Sequence, residues 1–238
     1  MERLQKVIAG FGYTSRRKAE DLILHGKVMV NGQVVKELGT KVSPSDIISI
    51  DGVVINKEVK LEYYLLNKPR QVISSAQDMQ GRITVVDLID TEARIYPVGR
   101  LDYDTTGLIL LTNDGELANK LMHPSFEIEK TYVAKINKIP EKEDIQKLKR
   151  GIVIEGRKVD IKRFKVRKKD HEKNTAIVEI AIVEGRNHIV KKIFASLGMD
   201  VKKLSRISYG FLDLLGLKSG EYRMLTIKEI KKLYAMVK

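Results

Sequence analysis

The run Leu108-Ile109-Leu110-Leu111 constrains this sequence most. Four consecutive large apolar residues bounded by turn-forming residues read as a strand buried on both faces. The run is entered directly from Gly99-Arg100-Leu101-Asp102-Tyr103-Asp104-Thr105-Thr106-Gly107, a polar loop that carries carboxylates. A loop seated on a buried strand has its side chains fixed by packed scaffold, which suits catalysis or binding. The same pattern also arises where an aspartate only caps a turn.

The chain of 238 residues is 43% hydrophobic, enough for one large domain or for a small and a medium one. It carries 44 Lys+Arg against 31 Asp+Glu, a net charge of +13 that favours a polyanionic partner. Residues 1–58 hold 9 basic and 7 acidic side chains, so +11 of the +13 falls beyond them. Cysteine is absent, which excludes disulfides, thiolate nucleophiles and Cys-ligated zinc. His25, His123, His171 and His188 are scattered, so no metal site is expected. No stretch approaches the length of a membrane span or a signal peptide, and a cytoplasmic protein that does not engage membranes is expected.

In chain order, Leu4, Val7, Ile8 and Phe11 share one helical face. Thr14 or Ser15 should cap a second helix with Ala19, Leu22 and Ile23 inward and Gly26 as its stop. Arg16, Arg17 and Lys18 cluster at its start, either to pair with Glu20 and Asp21 one turn on or to reach phosphates. Asn31-Gly32 lies between apolar alternations, a strong hairpin signal, and Ile47–Ile50 makes a further strand ending at Asp51-Gly52. The pattern LQKVIAGFGYTSRRKAEDLILHGKVMVNGQVV, with GTKV and ISIDG after it, resembles an S4 RNA-binding domain. That resemblance implies two helices and a small sheet offering a basic surface to structured RNA over residues 1–58.

Residues 59–62 read as a linker, and residues 63–238 as a second domain. Its signals are a strand from Tyr63 to Pro69 continued by Val72–Ser75, and a helix capped by Asn113 or Asp114 and stopped at His123-Pro124. A strand follows over Glu129–Ile136, then a charged surface helix over Glu141–Arg150. The basic strand Val159–Lys169, with Thr175–Val183 as its partner, is either a phosphate track or a sheet edge blunted by lysines. A helix with Val190, Ile193, Phe194 and Leu197 inward is expected to be capped by Asn187 and to end at Gly198. Its geometry puts Lys191 on the flank of the apolar stripe and Lys192 nearly opposite. The last helix begins near Ile227.

Four segments of this second part resemble the RsuA/RluB-type pseudouridine synthases: GRLDYDTTGLILLTNDGELANKLMHP, KTY, EGRNHIVKKIFASLG and LSRISYG with LKSGEYRMLT. The resemblance implies an α+β catalytic domain built on a mixed, largely antiparallel sheet. It implies isomerisation of a uridine in ribosomal RNA or a pre-ribosomal particle, without a cofactor or metal; a monomer is the default expectation. Its start is nearer the RluB branch, which prefers large-subunit rRNA over small. Carried over by position, Asp102 is the catalytic aspartate, Tyr132 the tyrosine that stacks on the base, and Lys191 the cation paired with the aspartate. Arg100 helps displace the uridine, and Arg16, Arg17, Lys18, Arg186, Lys192 and Arg206 are expected to contact RNA. Ile189 stands where the family often has Gln, and Lys191 where many relatives carry Arg, which supplies the charge without a bidentate fork.

Two other readings remain at this point. Asp102 and Asp104, if extended, would lie roughly 6 to 7 Å apart on one side of the chain, near the spacing of a paired-carboxylate hydrolase. A non-catalytic rRNA-binding assembly factor would share the charge and the S4 module.

Overall fold

In the computed structural model, which describes residues 1–55 and 59–238, the chain divides into two units. One comprises Met1–Glu62 with Thr91–Arg94 and Asn113–Gly115, and the other holds Tyr63–Asp90, Ile95–Thr112 and Glu116–Lys238. The boundary expected at Glu58 lies outside the described residues.

The first unit follows its local signals closely. Ser15 caps helix Arg16–Leu24, its Oγ accepting from the Lys18 N–H at 3.1 Å. Leu4 and Ile8 of helix Leu4–Gly10 pack with Ala19 and Ile23 against Val28, Val42, Ile48 and Ile50. Both Asn31-Gly32 and Asp51-Gly52 take positive φ at each residue, the geometry that lets a two-residue turn match strand twist. They join Val28–Val30 to Gln33–Val35 and Ile48–Ile50 to Val53–Val54 in one four-stranded antiparallel sheet. Arg16, Arg17 and Lys18 are all exposed. The ion pairs considered for Arg16 and Arg17 are not formed among the described residues; Glu20 instead accepts from Gln5 Nε2 at 3.0 Å.

The second unit is built on a nine-stranded sheet. From one edge the order is Ile161–Asp170, Thr175–Ile182, Lys130–Ile136, Val201–Tyr209, Thr106–Thr112, Tyr63–Lys68 and Tyr222–Met224. Leu212–Asp213 and Tyr96–Val98 pair beside this path. All neighbours are antiparallel except Val201–Tyr209 with Thr106–Thr112, which makes the sheet mixed and largely antiparallel. Leu108 to Leu111 are buried on both faces as their pattern requires, each stabilising the fold by roughly 1.5–3 kcal/mol. Leu108 and Leu110 pack with Leu117, Ala118 and Leu121 of helix Gly115–Met122 and with Leu233 of helix Ile227–Met236.

Several local expectations are corrected. Val72–Ser75 does not extend the strand that ends at Lys68; Gln71 turns the chain at φ 61°, and Ile73 makes one isolated parallel bridge to Thr84. The basic strand is interrupted at Asp160. Arg157–Val159 belongs to a small hairpin with Ile152–Ile154, and the long strand starts at Ile161. Asn187 does not cap helix Ile189–Ala195; His188 precedes that helix in the left-handed region at φ 55°.

Candidate active site

Asp102 lies in the middle of the loop, residues 99–105, that links Tyr96–Val98 to Thr106–Thr112, and backbone contacts fix it from below. The Thr105 N–H donates to the Asp102 carbonyl at 3.1 Å, so residues 102–105 form a turn. This curvature replaces the extended spacing considered for Asp102 and Asp104. Ser74 Oγ donates to the Leu101 carbonyl at 2.8 Å and accepts from its N–H at 3.1 Å. Beneath the turn lies Lys68, fully buried, with Nζ donating to the carbonyls of Thr105 at 2.9 Å, Asp102 at 3.0 Å and Pro69 at 3.1 Å. Burial brings its ammonium down to about 8, while Asp102 and Asp104 act in the opposite sense.

Two side chains from the segment opening helix Ile189–Ala195 meet the Asp102 carboxylate. Lys191 Nζ stands 3.3 Å from Oδ2 and His188 Nε2 3.3 Å from Oδ1. The left-handed backbone at His188, unusual for a residue with a side chain, therefore falls beside the carboxylate, where strain often marks function. Lys191 also serves Asp104, with Nζ at 2.8 and 3.0 Å from its two oxygens. Against the pull of burial, the bonds to Asp104 and the charge of Asp102 hold the Lys191 ammonium above the ordinary lysine value. The hydrogen bond from Lys191 keeps the Asp104 carboxyl below its ordinary value.

This carboxylate opens into a cavity of about 370 Å³ lined by Arg100, Tyr132, Lys130, Arg186, Arg206 and Tyr209, among others. Tyr132 is 7% exposed, on the strand paired through Arg206 to Val201–Tyr209. Arg206 is 3% exposed and donates from Nε to the Leu108 carbonyl at 2.7 Å, while its Nη2 is buried without a partner among the described residues. It is therefore a wall of the cavity rather than a surface contact. Lys130 donates to the carbonyls of Val183 at 2.8 Å and Ile128 at 2.9 Å, and burial, with Arg206 nearby, lowers it to about 8. Tyr209 has Arg206 and Lys130 at 5.3 and 5.5 Å from its ring centre, and its hydroxyl donates to the Leu121 carbonyl at 2.7 Å. Burial pushes that phenol up to about 12.

The structure thus brings Asp102, Tyr132, Arg100, Arg186 and Arg206 to one cavity, while Lys191 stands outside its lining and reaches the site through its contact with Asp102. Arg186 reaches it while paired with Glu184 and donating to the Ile154 carbonyl at 2.7 Å. Lys192 is not part of the lining, and its ammonium is paired with Glu155 at 2.6 Å. Sequence reasoning missed Lys68, Lys130 and His188. A lysine two residues after Leu66, in a strand otherwise apolar but for Asn67, was the available signal for Lys68, because alternation points it to the same face as Leu66. His188 lay unassigned within the quoted EGRNHIVKK segment.

Among the described residues no group of three or more His, Cys, Asp or Glu side chains could hold a metal ion, and no helix is long and apolar enough to cross a membrane. The geometry offers one carboxylate between an ammonium and an imidazole, in the lining of a cavity that Tyr132 and Tyr209 also line. Such a site can act covalently or as a base on a planar ring brought into it.

Comparison with known proteins agrees. Residues 62–196 match the RNA pseudouridylate synthase family, and residues 2–48 match the S4 domain. The chain is 54% identical over 99% of its length to a Bacillus subtilis protein named ribosomal large subunit pseudouridine synthase B, covering 97% of it. A Pseudomonas aeruginosa protein of the same name is 36% identical over 96% of this chain and 61% of its own. A solved structure described as a pseudouridylate synthase superposes with a TM-score of 0.68 at 33% identity, covering 98% of this chain and all of the other. The chain accordingly belongs to the RNA pseudouridine synthase family, as an S4-containing member of the RluB type.

Proposed function

We propose that this chain converts one uridine of large-subunit ribosomal RNA to pseudouridine, with Asp102 as the reacting carboxylate. The observation that carries the reading is the placement of Asp102 between Lys191 and His188, in the lining of a cavity that Tyr132 also lines. Support for the substrate comes from the Bacillus subtilis relative named for the large subunit.

The reaction breaks the bond from uracil N1 to ribose C1′, turns the ring and joins C5 to C1′; the proton leaves C5 and N1 ends protonated, so the product is an isomer of the substrate. Atoms balance without a cofactor or an energy source. Asp102 serves it as a nucleophile towards C1′ or the uracil ring, or as a base towards the sugar, with the Lys191 ammonium 3.3 Å from its Oδ2 in each case. A nucleotide turned out of its stack must regain stacking, which the Tyr132 ring supplies, while the exposed Arg100 at the cavity rim fills the vacated space in the RNA. Arg186 and Arg206 contact the bound nucleotide from the cavity wall.

Arg16, Arg17 and Lys18 contact RNA from the S4 domain. Cations in the first turn of a helix oppose its dipole, so three of them there weaken the helix unless an anion joins them. Phosphate is such an anion. Lys192 contributes to RNA binding only by exchanging Glu155 for a phosphate. In this reading residues 1–58 form the S4 domain, 59–62 a linker and 63–238 the catalytic domain, and the protein acts as a cytoplasmic monomer.

The test is to incubate the full chain with unmodified transcripts of both ribosomal RNAs and map pseudouridine by carbodiimide treatment and primer extension. One new stop in the large-subunit RNA is expected. A stop only in the small-subunit RNA overturns the substrate assignment.

A further inference from the structure

We propose that the edge strand Ile161–Asp170 is a second RNA-binding surface, which grips phosphates of the substrate through Lys165, Lys168 and Lys169. It rests on the proposed function only in taking RNA as the ligand. Residues 138–173 carry 14 basic and 7 acidic side chains, so 36 of the 238 residues hold +7 of the net +13. The density peaks at Lys162–Lys169, where six of eight residues are Lys or Arg.

This strand is the last of its sheet, bonded to Thr175–Ile182 on one side. Lysines on an edge blunt unwanted pairing, but one or two suffice for that. Four lysines and two arginines are more than blunting needs, and like charges on neighbouring strand positions repel. The register shows how the fold accommodates them. Phe164 and Val166 pair with Ile180 and Val178, and Phe164 lies 6.4 Å from Phe194, so this face turns to the core. Arg163, Lys165 and Lys168 pair with Ala181, Glu179 and Ile177 on the other face.

Neutralisation there is incomplete. Glu179 takes Arg163 at 3.3 Å and Arg167 at 2.8 Å, and Glu129 takes Arg163 at 3.3 Å. Lys165, Lys168 and Lys169 have no carboxylate partner among the described residues, and all three are exposed. The edge lies two strands from Lys130–Ile136, which carries Tyr132, a distance of about 10 Å at ordinary strand spacing. One RNA can therefore place a nucleotide in the cavity and lay its backbone along the edge. Lysine ammoniums on flexible stems suit phosphates, which position a substrate without reading its sequence.

The experiment compares the full wild-type chain with a K165Q/K168Q/K169Q variant and with K228Q/K231Q/K238Q, which removes equal charge from exposed lysines elsewhere in this unit. Binding to a large-subunit rRNA transcript is measured from 50 to 300 mM salt, and kcat and KM for pseudouridine formation at fixed salt. For the edge variant, the slope of log affinity against log salt is expected to fall by about 2, from three lost phosphate contacts. Its KM should rise roughly tenfold with kcat unchanged, while the control keeps the wild-type slope and KM. Equal slopes for all three proteins overturn the proposal, as does an equal fall in both variants, which marks a net-charge effect. Loss of binding to phosphatidylserine vesicles with RNA binding intact also overturns it. Because the slope is read from binding alone, it stands or falls separately from the pseudouridine assay.

Discussion

At Lys191 one ammonium serves two carboxylates, and its geometry makes the two unequal in role. Asp104 is the exposed partner and holds the ammonium by two bonds, whereas Asp102 faces the cavity. Asp102→Asn should lower pseudouridine formation on the order of a thousandfold or more with RNA affinity retained, measured by single-turnover kinetics. Lys191→Met should cost roughly a hundredfold in kcat, the scale of losing one charge that stabilises a reacting group, and Lys191→Arg should restore most of it. Asp104→Asn should stay within about tenfold of wild type, because Asp102 still holds the ammonium; a loss as large as that of Asp102→Asn would revive the paired-carboxylate reading. These positions were legible only because Asp102, Tyr132 and Lys191 fall in motifs that a reader can match. Nothing in local pattern ties Asp102 to residue 191, since the contact is made by the parallel pairing of Val201–Tyr209 with Thr106–Thr112 and the helix that precedes it.

At the scale of elements, that parallel pairing depends on Gly107. At φ 106° it occupies a region closed to other residues, and an added Cβ would stand 2.2 Å from the Arg206 carbonyl oxygen. Gly107→Ala should therefore destabilise the protein by about 2–4 kcal/mol in urea unfolding, through strain and separation of the two strands. Lys68 stabilises the neighbouring turn from beneath. Lys68→Met leaves three carbonyls without their donor, so a loss of about 1–3 kcal/mol is expected, with a lower kcat from a looser Asp102. The Asn31-Gly32 hairpin, the helices and the Leu108–Leu111 strand were readable because each rests on local rules of turn chemistry and periodicity. The failures are tertiary: Gln71 turns the chain where Val72–Ser75 alone reads as strand, and His188 displaces Asn187 as the helix start because it reaches Asp102.

At the scale of the molecule, buried titrating groups set how stability varies with pH. Lys68 and Lys130 titrate near 8 in the folded protein against 10.5 when free, so from about pH 8 to 10.5 the unfolded chain binds more protons. Stability should rise through that window. Tyr209, pushed up from 10 to about 12, has the opposite sign, and its contribution is lost as pH climbs from 10 to 12. Urea midpoints should therefore rise from pH 8 towards 10 and fall beyond it, with the rise reduced in Lys68→Met. Charge was readable as a whole-chain property, but its role on one sheet edge was not, because the sequence left phosphate track and blunted edge both open and leaned slightly to the blunted edge. The central claim, that Asp102 makes pseudouridine in large-subunit rRNA, is tested most directly by mapping pseudouridines in total ribosomal RNA from wild-type, deletion and Asp102→Asn cells. One large-subunit stop is expected to disappear in both mutants. Its persistence in Asp102→Asn cells, with loss in the deletion, would contradict the assignment of Asp102.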